Sequence, residues 1–86
     1  MMRFKVKIAV RRKKGVADPE GNTIGEALKR LGHKNVQDVH VQRLFELIID
    51  VKDAFAVRKL AQKVAKEVLT NPVIEEFSIL DVEKVD

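Results

Sequence analysis

The hydrophobic patterns of this 86-residue chain predict an α+β domain of ferredoxin-like plan, β-α-β-β-α-β. Two helices would pack on one face of a four-stranded antiparallel sheet. Three observations carry that expectation. Residues 4–10 alternate apolar and polar with period two. Two later stretches, 19–31 and 54–69, repeat apolar residues at three- and four-residue spacing, each behind an Asp. Alternating patterns return between these stretches and after the second of them.

In the first strand Phe4, Val6, Ile8 and Val10 share one face, and Lys5, Lys7 and Ala9 the other. Residues 11–16 form a basic connection that contains Gly15. Asp18 then reads as a helix N-cap with Pro19 at the first helical position, where a missing N–H costs nothing. The helix presents Ile24, Ala27, Leu28 and Leu31 on one side, and Gly32 stands where a left-handed C′ residue belongs. Gly21 and Gly25 each weaken it by about 1 kcal/mol relative to Ala. Packing must offset that loss, or something must need the close approach glycine permits.

Between Val36 and Val51 two strand patterns meet. Val39 and Val41 alternate with polar residues. Phe45, Leu47, Ile49 and Val51 then share one face, with Leu44, Glu46, Ile48 and Asp50 on the other. The phase slips at Gln42-Arg43, which reads as a hairpin turn, with a bulge or one long bent strand as alternatives. Asp53 caps a second helix from Ala54 to about Leu69, with Val57, Leu60, Ala61, Val64 and Val68 inward. Asn71-Pro72 stops it, because the residue before proline leaves the α region. The final strand runs from Val73 to about Val82. Strands three and four are apolar on both faces: Leu44 and Ile48 lie opposite the core face, as do Ile74, Leu80 and Val82. A second buried surface follows, so these five residues are the candidates for self-association.

Composition narrows the function. Residues 1–86 make a single domain, with no Cys for disulfides or thiolate metal sites. No apolar run spans a bilayer and no signal-peptide block opens the chain, so the expectation is a cytoplasmic protein without a membrane partner. The net charge of +4 raises nucleic acid as a partner. Yet the cations cluster near the start and the carboxylates near the finish, so neighbouring first and last strands would neutralise each other. His33 and His40 lack metal-ligand spacing, Ser78 has no nucleophile elbow, and the glycines are too scattered for a phosphate loop. A self-sufficient enzyme is not expected, nor a cofactor or metal held by this chain. An RNA-recognition module and an ACT-type regulatory domain share the topology; the first lacks base-stacking aromatics on its open face.

A specific resemblance rests on Lys14-Gly15-Val16, Asp18-Pro19-Glu20-Gly21, Ala27-Leu28 with Leu31-Gly32, Val36-Gln37-Asp38-Val39 and Leu69-Thr70-Asn71-Pro72-Val73-Ile74-Glu75-Glu76-Phe77. In this order and spacing they resemble the small, non-catalytic PurS subunits of phosphoribosylformylglycinamidine synthase, from the strand at Phe4 to that ending near Val82. One departure is Gln42-Arg43, where the family usually carries Gly-Lys. The resemblance implies a scaffold of purine biosynthesis that joins a glutaminase subunit to a synthetase subunit and assists ammonia transfer. ATP, Mg and glutamine would be used by those partners, and a homodimer or homotetramer would be the working unit. Asp18, Pro19, Gly21, Arg43, Asn71 and Pro72 are then the candidates for contact with the partner subunits.

Overall fold

A computed structural model describes residues 1–85. The elements run β1 (Met2–Arg12), α1 (Pro19–Arg30), β2 (Arg43–Val51), α2 (Ala54–Val64), a π-helical turn (Ala65–Leu69) and β3 (Glu75–Val85). The strands form one antiparallel sheet in the order β2-β1-β3. β1 is central, and its alternation decides the core: Val6 and Ile8 are fully buried, and Phe4 and Val10 nearly so. In register with this row are Ile49, Leu47 and Phe45 on β2, and Phe77, Ile79 and Val82 on β3. No helix among the described residues is long and apolar enough to cross a membrane.

The expected four-stranded sheet is overturned: residues 36–42 form no strand, and the sheet has three. Val39 and Val41 are too few alternating residues to hold an edge strand, and Gln42-Arg43 lacks the positive-φ residues of a tight hairpin. The backbone of this segment is bound instead at the start of α1, where the Val41 amide donates to Asp18 Oδ2 at 2.9 Å.

Three further details depart from the period-based expectation. A bulge lies opposite Lys7/Ile8: Lys7 pairs with Asp81 and Ile8 with Ile79, leaving Leu80 without a partner. The extra residue turns Val82 back to the core face, where it packs beside the buried cluster rather than with Leu80 on the open side. In the second helical stretch the buried residues are Val57, Ala61 and Ala65, and the π turn brings Leu69 rather than Val68 onto the core. A π turn takes up more residues than an α turn, so the inward face advances by one position. Val68 is 74% exposed, and Leu60 is partly exposed at 38%.

The third departure concerns α1. Both of its ends form as the sequence predicts. Asp18 Oδ1 accepts from the Gly21 amide at 2.9 Å. At the other end Gly32 adopts φ +91, while His33 N–H donates to the Leu28 carbonyl and Gly32 N–H to Lys29, a Schellman closure. Yet α1 supplies none of the core cluster, and Leu31 is 75% exposed. Only α2 and the π turn cover the sheet. The chain is correspondingly long and thin, 52 × 28 × 14 Å. Its radius of gyration is 16.7 Å, against about 12 Å for a compact chain of this length.

Candidate functional site at one end of the sheet

Antiparallel pairing brings the last residues of β1 beside the first residues of β2 and β3. Val10 lies opposite both Arg43 and Phe77, Arg11 opposite Glu76, and Arg12 opposite Glu75. All six residues expected to contact partners gather around this end, in two neighbouring clusters.

The first is built on Asp18, which is buried although charged. Its two oxygens accept from the Gly21 and Val41 amides, both at 2.9 Å, and Arg12 Nη1 lies 3.4 Å from Oδ1. The Val41 and Gly21 amides hold this carboxyl below the usual carboxylate range against the opposing pull of burial, with Arg12 and His40 adding to the depression. Gly21 occupies the third helical position, where its α-carbon faces the Val39 carbonyl. A β-carbon there would collide with that oxygen and stand 2.7 Å from Asp18 Oδ2. The glycine that weakens α1 is thus the one that lets residues 39–41 reach the helix start. Pro19 opens the helix, and Thr23 Oγ1 donates to its carbonyl at 3.0 Å.

The second cluster is built on Glu75. Arg43 Nη2 reaches both carboxylate oxygens, at 3.1 and 3.0 Å, and also the Leu69 carbonyl at 3.4 Å. Its guanidinium stands 5.4 Å from the centre of the Phe45 ring. Glu75 Oε1 accepts from the Asn71 amide at 2.8 Å, the chief cause of its lowered pKa, with Arg43 supporting the charge. The Asn71 side chain closes a local turn by accepting from Val73 N–H at 3.1 Å. Lys13 Nζ donates to the Pro72 carbonyl at 2.6 Å, and Lys13 N–H to that of Ile74 at 2.8 Å.

Each of the six candidates therefore has work inside the chain. Asp18, Pro19 and Gly21 shape the start of α1; Arg43, Asn71 and Pro72 anchor the link from the π turn into β3. Sequence reasoning missed Glu75, Arg12 and Lys13 as the groups that tie these parts together, since pairing across 62 intervening residues leaves no local signal. Of the self-association candidates, Leu44, Ile48 and Leu80 are well exposed on the open face, Ile74 sits in the turn before β3, and Val82 turns to the core.

The open face is largely self-neutralising. Arg3 pairs with Asp50 at 2.8 Å, Lys5 with Glu83 at 3.7 Å and Arg11 with Glu76 at 3.4 Å. Lys7 lies in register between Glu46 and Asp81. Phe4, Phe45 and Phe77 belong to the core side, so this face displays no aromatic platform for stacked bases.

A family model described as PurS, phosphoribosylformylglycinamidine (FGAM) synthase, matches residues 5–83. The chain belongs to the PurS family. It is 35% identical over 83 residues to the phosphoribosylformylglycinamidine synthase subunit PurS of Methanocaldococcus jannaschii, covering 96% of this chain and 99% of that one. The crystal structure of the M. jannaschii protein, one of the subunits of formylglycinamide ribonucleotide amidotransferase in the purine biosynthetic pathway, is similar at a TM-score of 0.82. PurS of Thermus thermophilus is similar at a TM-score of 0.87, with 26% identity across 98% of this chain and 99% of that one. A chain in the structure of PurLQS from Thermotoga maritima is similar at 0.83, with 27% identity across 99% of this chain and 100% of that one.

Proposed function

We propose that this chain is the small subunit of a phosphoribosylformylglycinamidine synthase, a non-catalytic scaffold that bridges a glutaminase and a synthetase subunit and assists ammonia transfer. The observation that carries this reading is the similarity to a chain in the PurLQS structure, which spans 99% of this chain. ATP, Mg and glutamine are handled by the partner subunits. The working unit is a homodimer or homotetramer, in which a second copy covers apolar surface that the chain leaves open. Leu44, Ile48 and Leu80 on the sheet, Ile24 on α1 and Leu31 at its C-cap supply that surface. As a soluble scaffold of biosynthesis it works in the cytoplasm. The partner-facing region is the end of the sheet where the Asp18 and Glu75 clusters meet.

Reconstitution with glutaminase and synthetase subunits from the same organism tests this reading. With glutamine, ADP and Mg present, the three should co-elute, and glutamine-dependent synthesis should require this chain. The chain alone should neither hydrolyse glutamine nor turn over ATP. Synthesis at full rate without it, or stoichiometric glutaminase activity of the chain itself, overturns the proposal.

A further inference from the structure

Beside the Asp18 cluster lies a half-open cavity of about 370 Å³, on the outer side of the turn that leaves β1. Its wall carries four consecutive cations, Arg11, Arg12, Lys13 and Lys14, together with His40. Among the described residues two carboxylates face it, and both are engaged: Asp18 by two backbone amides and Arg12, Glu76 by Arg11. Lys13 spends its ammonium on a neutral carbonyl, which leaves its charge uncompensated. Lys14 makes no ion pair among the described residues. Four positive charges thus meet two negative ones. Gly15, at φ +87 with open space on its side-chain side, lets a ligand approach the turn's backbone closely.

Such a cavity is complementary to a compact dianion. We propose that the Lys13–Val16 turn, with Arg12 and His40, forms a binding site for the phosphate group of a small phosphorylated molecule. A phosphate monoester at neutral pH carries close to two negative charges and three acceptor oxygens, matching the charge excess and the unused donors. The volume leaves room for a small organic moiety beyond the phosphate. A flat lysine patch would serve any polyanion, but here the four cations line one concavity. This proposal does not rest on the scaffold reading, since it concerns this chain in isolation.

The test is a titration of the full chain, amide by amide, with inorganic phosphate by nitrogen–proton correlation NMR at pH 7.5 and constant ionic strength. Saturable shifts confined to Lys13–Val16 and His40, with a Kd on the order of 1 mM, are expected. Lys14→Gln should weaken binding about five- to ten-fold, because it removes one charge-assisted hydrogen bond and no internal contact. Lys59→Gln, on the outer side of α2, should leave the Kd unchanged. Phenyl phosphate should bind at least as tightly as phosphate itself. Shifts that fail to saturate, that chloride reproduces, or that Lys59→Gln weakens equally would overturn the site. So would tetraglutamate binding more tightly than phenyl phosphate, which would make this an acidic-protein surface instead.

Discussion

Val39 holds its carbonyl oxygen directly against the α-carbon of Gly21, so the start of α1 and the segment before β2 touch backbone to backbone. Gly21→Ala should therefore force residues 39–41 away and break the Val41–Asp18 bond. The expected loss is about 1–3 kcal/mol, despite alanine's better helix propensity. Gly25→Ala, one turn later, meets only Val39 Cγ2 at 3.9 Å. It should gain up to about 1 kcal/mol. Chemical denaturation of the two variants checks this, and equal signs would contradict it.

Acid should unfold the chain through a small set of carboxylates. Asp18 is held down by the Val41 and Gly21 amides, Glu75 by the Asn71 amide, and Asp50 first by its hydrogen bond to Arg3. The folded state favours their charged forms. Their contribution is complete above the unfolded value of about 4 and is lost as pH falls through the lowered folded values. Tm should be nearly flat from about pH 6 to 8 and drop steeply below about pH 4. Asp18→Asn and Glu75→Gln should each lower Tm at pH 7 and flatten the acid limb.

The π turn makes a pairwise prediction. Leu69→Ala should cost about 1–2 kcal/mol, because Leu69 packs beside the buried cluster. Val68→Ala should be within about 0.5 kcal/mol of wild type, since Val68 faces solvent. Urea midpoints decide it; a regular α-helix through residue 69 would reverse the order.

The bulge separates two neighbours on β3. Leu80→Lys and Ile48→Lys should shift the protein toward monomer in light scattering while keeping its secondary structure. Val82→Lys should lower stability instead, because its side chain turns to the core face. A wild-type mass near 9.8 kDa at micromolar concentration would contradict self-association.

How much was legible in the sequence follows from the range of each interaction. β1, with its strict alternation, and both ends of α1 rest on local chemistry, and they form as read. β2 also keeps its predicted faces, because nine residues of alternation fix which side is buried. The short 36–42 pattern misleads, since Val39 and Val41 serve the N-terminus of α1 rather than a ladder. Val82 and Leu69 change sides because a single inserted residue, in a strand or in a helical turn, reverses or advances every position after it. Asp18, Pro19, Gly21, Asn71 and Pro72, five of the six partner-contact candidates, were visible as turn and cap chemistry, whereas Arg43 was read into a hairpin turn and instead opens β2. The groups that join them, Arg12, Lys13 and Glu75, became visible only once β1 and β3 were paired.

The central place of β1 also sets a timetable for biosynthesis. Arg12 pairs with Glu75, so 62 residues must be added after β1 before its β3 partner begins to exist. At ordinary elongation rates of about 5–20 residues per second, that interval lasts roughly 3–12 s. Through it the row Phe4, Val6, Ile8, Val10 has only β2, and later α2, to shield it. The nascent chain therefore carries its most deeply buried strand uncovered on one flank until the last described element emerges, which makes slow final closure intrinsic to this topology.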